Sequence, residues 1–469
     1  MKLRISECDY RTLRRLTAIS FRDDIEFPPE TGCILLVSRN EHPLNPALIV
    51  AGILEPAESD LTESAKDGLT FSRSYLRRAL LEVRRRKLAG FLTVHTHPLS
   101  GDGVGFSEYD DANDPALMAN LSELQPTGTF GSMVLGAQVA AGRVWAPDIP
   151  GFLPLSELVS VGERIRGLPL DGTVGATPAP TAMFDRAMAV TGAGALAALA
   201  RMRVGVVGAG GTGSLVIELA ARAGVGEVFV FDFDEANLTN LNRVLHLRQE
   251  DVDHCRPKAE RLAEVIRQSG LPCTVTAVTG GDIRKESTAY DLLACDVLVG
   301  CVDRDWPRLI LSEVAYQFHI PYLDIGTEIG VGPEGIASLD VRASYTAAGR
   351  PCLVCAGVIS PERIRLEGYG EAELERVLGM GYSTDFRLKA PAVMELNMRA
   401  ASWAMLLLRH LLQPFLEEPL PHSFRESLTN FSTRSREHAR TPGCTICGNP
   451  ERLGAGGGFP IQTLREDLN

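Results

Sequence analysis

The sequence predicts an α/β protein of two folded parts: an N-terminal domain of mixed α/β type and a C-terminal domain around a doubly wound, mostly parallel sheet. Three observations carry that expectation. A chain of 469 residues is longer than one hydrophobic core organises. The stretch GLPLDGTVGATPAPT at 167–181 has neither a helical nor a strand period and is rich in Gly, Pro and Thr, as linkers are. Beyond it, short apolar runs at 203–207, 227–231, 274–278, 296–300 and 321–324 alternate with helical patterns, the mark of parallel strands joined by helices. The expected boundaries are 1–166 for the first domain, 167–180 for the linker, 181–450 for the second domain and 451–469 for a flexible, glycine-rich tail.

Within the first domain, strand-like runs at 33–38, 47–53, 90–94 and 133–139 surround an arginine-rich helix near 74–87. Charge narrows the function. With 59 acidic against 47 basic residues, a net charge of -12 and no basic run beyond RRRK at 84–87, nonspecific binding to nucleic acid or an anionic membrane is not expected. The opening MKLRISECDYRTLRRL lacks a continuous apolar stretch, so neither a signal peptide nor a transmembrane helix is expected, and the chain is read as cytoplasmic. Four of the ten cysteines form two C-x-x-C pairs, which in a reducing compartment points to metal rather than disulfides.

The stretch VHTHPLSGDGVGFSEYD at 94–110 carries the first candidate site. Alternation along a strand puts His95 and His97 on one face, about 7 Å apart. Pro98 ends the strand, the glycines turn the chain, and Asp110 can supply a third ligand. Two imidazoles and a carboxylate suit Zn²⁺ with one position left for water. Ser107 to Asp110 is also a helix-capping pattern. An H-x-H-P followed by S-x-x-D resembles the JAMM/MPN (JAB) metalloprotease family, whose members cut peptide or isopeptide bonds at the C-terminal tail of ubiquitin-like proteins. That resemblance implies zinc on His95, His97 and Asp110, and an oxyanion-stabilising Ser107. It also implies a general base on an early strand: Glu30, which precedes the apolar run ILL, with Glu26 as the fallback. Zinc lowers the pKa of its water to roughly 7, and a carboxylate can then relay the proton.

The second candidate is VGVVGAGGTGS at 204–214, a strand entering Gly208, Gly210, Gly211 and Gly213, with Asp232 ending the next strand. Alone it is a dinucleotide fingerprint, for which NAD is the default ligand. Downstream, however, come FDFDEANLTNLNR at 231–243, RPK at 256–258 and VDRDWPR at 302–308. These cations suit a triphosphate, whose charge must be neutralised before a carboxylate can attack it. The order resembles the ThiF/MoeB/ubiquitin-activating superfamily, which adenylates the C-terminal glycine of ubiquitin-like or sulfur-carrier proteins on a Rossmann-like fold. The resemblance implies ATP on the glycine loop, ribose on Asp232, phosphates on Asn240, Arg243 and Lys258, and Mg²⁺ near Asp303. Arg186, in an upstream segment, would reach the ATP site of a partner subunit, which implies a homodimer. It further implies a structural zinc on Cys352, Cys355, Cys444 and Cys447.

Between 356 and 443 there is no cysteine for a thioester, and Cys255 is the remaining thiol to test. The expectation is a two-headed enzyme, a zinc protease and an MgATP-dependent adenylyltransferase for one ubiquitin-like partner. The adenylate would pass to sulfide, a persulfide or a conjugating enzyme's cysteine. Sulfur-carrier activation, with the protease releasing the carrier, and a non-catalytic scaffold that binds such a tail are the alternatives.

Overall fold

The computed structural model describes residues 1–64, 68–100, 102–146, 151–172, 182–278, 280–379, 391–416, 419–458 and 460–463. The chain divides into two compact units. Unit 1 comprises Met1–Ala176, Tyr316–His319 and Asn449–Pro460, and unit 2 comprises Thr177–Ala315, Ile320–Gly448 and Ile461–Asn469.

The strands of unit 1 are β1 (Lys2–Ser6), β2 (Gly32–Asn40), β3 (Ala47–Leu54), β4 (Leu61–Ser64), β5 (Gly68–Phe71), β6 (Gly90–Thr96), β7 (Thr129–Leu135), β8 (Ala140–Ala146), β9 (Gly151–Pro154), β10 (Glu157–Val161) and β11 (Ile165–Pro169). Nine of them form one sheet in the order β11-β10-β1-β3-β2-β6-β7-β8-β9, and β4 pairs with β5 separately. Both faces of the sheet are covered, which is why its central strands read as continuous apolar runs. Leu13 of the helix Glu7–Thr17 joins Cys33, Leu35 and Val37 on one face. On the other, Tyr75, Ala79 and Val83 of the helix Arg73–Arg86, with Met118 and Leu121 of the helix Glu108–Leu124, pack on Ile34, Leu36 and Phe91.

Three readings of this unit need correction, the first being the linker expected at 167–180: β11 runs to Pro169 and Leu170 is buried in the core, while 173–180 lie outside the described residues. The strand expected at 133–139 runs instead from Thr129 to Leu135, and Gly136 to Val139 form a turn closed by a 2.9 Å hydrogen bond. Gly131 misled the reading; it sits inside the strand because a Cβ there would lie 2.2 Å from the Arg143 carbonyl. The segment expected as a free tail is folded through its first part: Arg452 and Ala455 are buried, and Ser38 Oγ donates to the Gly454 carbonyl at 2.5 Å.

Unit 2 contains β12 (Arg203–Val207), β13 (Glu227–Phe231), β14 (Thr274–Ala277), β15 (Val297–Gly300), β16 (Tyr322–Gly332), β17 (Gly335–Thr346), β18 (Ser423–Ser427) and β19 (Ser432–Arg436). They form an eight-stranded sheet in the order β14-β13-β12-β15-β16-β17-β18-β19. The first five are parallel. The expectation of a mostly parallel sheet holds for that half only, because β16 does not stop at Asp324 but continues into a long antiparallel hairpin, extended by β18 and β19. Apolar and polar or glycine residues alternate along β16 and β17, and this hid that half from a search for solid apolar runs. No helix among the described residues is long and apolar enough to cross a membrane.

Tyr75 ties the helix Arg73–Arg86 to the sheet: its fully buried hydroxyl accepts from the Ile34 N–H at 3.1 Å and donates to the Leu54 carbonyl. Tyr75→Phe is expected to leave both backbone groups without that partner and to cost about 1–3 kcal/mol. The check is a lower urea midpoint with an unchanged slope.

Candidate functional sites

Strand alternation and helix placement together build the first site. His95 lies on the same face of β6 as Phe91, and that face carries the helix Glu108–Leu124. Asp110, in the first turn of that helix, therefore meets the histidines. His95 Nε2 is 3.2 Å from His97 Nε2 and 3.2 Å from Asp110 Oδ1, and His97 Nε2 is 3.6 Å from Asp110 Oδ2. Ligand atoms on a tetrahedral zinc with bonds of 2.0–2.1 Å stand about 3.3 Å apart, so the donor set fits that ion in kind and spacing.

Ser107 completes a capping box: its Oγ donates to Asp110 Oδ2 at 2.7 Å, its own N–H donates to the same oxygen at 2.7 Å, and the Asp110 N–H returns a bond to Oγ at 3.2 Å. The capping role and a place at the site are thus both present, since the cap turns Oδ1 toward His95. Burial works against the Asp110 charge, but the bonds from His95 and Ser107 outweigh it and hold the carboxyl below the usual carboxylate range. Burial, reinforced by His95, holds His97 below its ordinary 6.5, against the opposing pull of Asp110, and so favours the neutral imidazole that a metal needs.

Glu30 arrives at the same place by register. Gly32 pairs with His95, and the Thr31 carbonyl accepts the Thr96 N–H at 3.0 Å, so the next residue back, Glu30, comes opposite His97. A Cβ on Gly68 would lie 3.7 Å from Glu30 Oε2 and 3.9 Å from Tyr109 Cδ1, which puts that carboxylate beside the turn holding Asp110. Glu26 is exposed on the preceding loop.

The second site lies where strand order reverses, between β12 and β15, the place where open α/β sheets bind ligands beyond their strand ends. Gly208 follows β12 with a φ of 93°, a conformation that favours glycine. Gly213 lets the turn close, since a Cβ there would stand 1.8 Å from the Gly208 carbonyl. Gly210 caps the helix Gly211–Ala223 without a side-chain bond, and a Cβ on it would meet nothing within 4 Å, so the helix N-terminus opens onto free space.

The Asp232 side chain is almost covered beside this turn, 7% exposed. It accepts from the Ala209 N–H at 2.6 Å and the Asp234 N–H at 2.9 Å, and Lys258 Nζ stands 3.3 Å from its Oδ1 and 2.9 Å from Asp234 Oδ2. Burial raises the Asp232 pKa although Lys258 and both amides pull it down. Arg243 passes close to Gly211, whose Cβ would be 3.4 Å from Arg243 Cδ. Asn240 is buried, with Oδ1 accepting from the Asn237 N–H at 3.2 Å. Asp303 is exposed on the loop after β15, and that loop flanks the glycine turn, since a Cβ on Gly208 would stand 2.7 Å from the Cys301 carbonyl.

Arg186 is not brought to this site. It is exposed in the helix Asp185–Thr191, and the preceding Phe184 lies against Gly224, at the far end of the helix Gly211–Ala223. At 1.5 Å per residue, that helix separates Gly224 from Gly210 by about 20 Å.

Asn397 was not anticipated. It is buried, its Oδ1 accepts from Thr212 Oγ at 3.2 Å, and its Nδ2 would be 2.3 Å from a Cβ on Gly211. It is the one side-chain amide in the helix Met394–Leu412, and the sequence offers no other signal for it.

The four cysteines converge. Cys352 and Cys444 sulfurs are 3.6 Å apart, those of Cys355 and Cys447 3.3 Å, and all four lie within 4.8 Å of one another. Thiolates on a tetrahedral zinc stand about 3.8 Å apart, so this donor set also fits. Cys255 is exposed and has a φ of 48°.

Residues 184–371, which hold the glycine turn, Asp232, Lys258 and Asp303, match the ThiF family. Similar curated proteins include the tRNA threonylcarbamoyladenosine dehydratase of Escherichia coli, 32% identical over 132 residues, or 28% of this chain and 48% of that protein. The adenylyltransferase and sulfurtransferase UBA4 of Yarrowia lipolytica is 28% identical over 54% of this chain and 57% of its own length. The sulfur carrier protein ThiS adenylyltransferase of Bacillus subtilis is 28% identical over 35% of this chain and 50% of its own length. The chain thus spans about half the length of the curated relatives it matches.

A pH dependence follows from His97. Its folded pKa lies below 6.5, so between the two values the unfolded chain binds the extra proton and acidification destabilises the metal-free fold. His97→Gln is expected to lose less stability than the wild type between about pH 7 and pH 5. Chemical denaturation of the metal-free full chain at each pH checks this.

Proposed function

We propose that the chain is a bifunctional enzyme of a ubiquitin-like protein pathway: unit 2 adenylates the partner's C-terminal glycine, and unit 1 hydrolyses a bond at that same tail. The observation that carries the reading is the convergence of the glycine turn, Asp232, Lys258 and the Asp303 loop at the reversal of strand order, within the segment that matches the ThiF family. Two of the similar proteins are adenylyltransferases by name.

In unit 2, ATP lies across the glycine turn with its phosphates toward the open N-terminus of the helix Gly211–Ala223. Asp232 fixes the turn through the Ala209 amide and faces the ribose. Arg243 and Lys258 offset the triphosphate charge, Asn240 adds a polar contact, and Asp303 holds Mg²⁺, so that the tail carboxylate can attack the α-phosphate and expel pyrophosphate. Arg186 serves the site of a second copy, which its distance from the glycine turn of its own chain favours. The cysteine quartet holds a structural zinc.

In unit 1, His95, His97 and Asp110 hold a zinc ion, which when bound supplies a Lewis acid and a water acidic enough to attack at neutral pH. Glu30, opposite His97, would act as the general base toward an attacking water and pass the proton on to the leaving amine. Ser107 orients Asp110 and stands where a developing oxyanion can be stabilised. The sulfur-carrier reading is kept because two relatives are named for sulfur chemistry. A thiocarboxylate mass shift on the partner supports it, whereas a lysine-linked conjugate supports transfer to another protein.

The test is incubation of the full chain with ATP, Mg²⁺ and ubiquitin-like proteins, read by pyrophosphate release and intact mass. Asp303→Ala is expected to cut glycine-dependent pyrophosphate release by about a hundredfold or more while trimming persists. His97→Ala is expected to abolish trimming and leave adenylation intact. Loss of both activities from either substitution, in a protein that remains folded, overturns the division of labour.

A further inference from the structure

We propose that Arg143 is a positioning residue for the His95–His97–Asp110 centre, holding the ligand-bearing turn against the sheet; this rests on the reading that those three residues bind a metal. Its guanidinium grips both sides of the Ser107–Asp110 cap. On one side it lies over Phe106, immediately before Ser107, at 3.7 Å from the ring centre, and it also lies over Phe152 at 4.2 Å. On the other side Nη1 pairs with Asp111, immediately after Asp110, at 2.5 Å, and Nη2 with Asp114 at 2.8 Å. Nε donates to Ser132 Oγ at 3.1 Å, and that hydroxyl donates to Asp114 at 2.6 Å.

The sheet explains why this arginine can act on the histidine site. Thr93, Ser132 and Arg143 are register partners across β6, β7 and β8, and His95, Val134 and Ala141 form the next row on the same face. Arg143 thus stands one pleat repeat along and two strands across from His95. The capping box fixes the Asp110 side chain only relative to its own helix. Arg143 fixes that helix relative to the strand carrying the histidines: carboxylates three residues apart share a helix face, so gripping both sets the helix's rotation about its axis. With 12% of its side chain exposed, the guanidinium gives up most of its water, and the two carboxylates and two rings replace it. A lysine offers neither the planar fork nor the stacking surface.

The experiment measures zinc content of the metal-free full chain against buffered free zinc, with Arg143→Gln, Arg143→Lys and His97→Ala compared with the wild type. The wild type is expected to fill in two steps, a cysteine step and a weaker step that His97→Ala removes. Arg143→Gln is expected to shift only the weaker step, by about ten- to a hundredfold, as loss of an outer partner of a metal ligand does. Arg143→Lys falls between, which keeps the test available if the glutamine variant does not fold. A weaker step unmoved in both Arg143 variants overturns the inference while leaving the metal reading in place, and so does a shift of both steps together, which marks general loosening. Absence of any His97-dependent step in the wild type overturns the metal reading and the inference with it.

Discussion

A carboxylate taken out of water must be given partners, and each unit is organised around such a group near the end of a strand. An unpaired buried charge costs several kcal/mol, so the partners are not optional. In unit 1 the group is Asp110, held by Ser107 and facing two imidazoles. In unit 2 it is Asp232, held by the Ala209 and Asp234 amides and by Lys258. A second buried carboxylate in that unit, Asp324, sits level with Gly300 and is held by Arg308, Arg342 and Tyr322. Arg308 in turn donates to the Val302 carbonyl at 2.8 Å, which fixes the loop that presents Asp303. Satisfying the buried charge and shaping the site are the same act here.

The two sites differ in how they are specified. The histidine centre draws its ligands from 16 consecutive residues, His95 to Asp110, crossing one strand, one turn and the start of one helix. The cluster at the glycine turn gathers Gly208, Asp232, Lys258 and the Asp303 loop, whose meeting depends on parallel pairing of β13, β12 and β15 in the right register, and Asn397 joins it from the helix Met394–Leu412. Parallel pairing needs long crossovers, so this site forms only once the sheet does.

That difference also decides what could be read from the sequence. β12 and β13 were legible to the residue because a strand buried on both faces is a solid apolar run bounded by polar residues. The meeting of His95, His97 and Asp110 was legible because its geometry is local: two residues on one strand face and a helix cap. Arg143 was not, since nothing in its own strand marks it and its partners lie about thirty residues upstream. Asn397 escaped for the same reason, and the antiparallel half of the second sheet escaped because its strands alternate polar and apolar residues and carry glycines at the hairpin.

Arg186 follows the same logic to its end. Every other cation expected at the nucleotide site either meets a carboxylate there or passes beside the glycine turn, as Lys258 and Arg243 do. Arg186 lies a helix length away and exposed, anchored by Phe184 against Gly224. A long, charged side chain kept in water retains its rotamer freedom and its hydration, and it gives up both only where a contact orders it. The glycine turn, Asp232 and Lys258 thus come together within the chain, with Arg243 beside the turn, whereas Arg186 stands exposed next to a segment packed at the other end of the helix Gly211–Ala223.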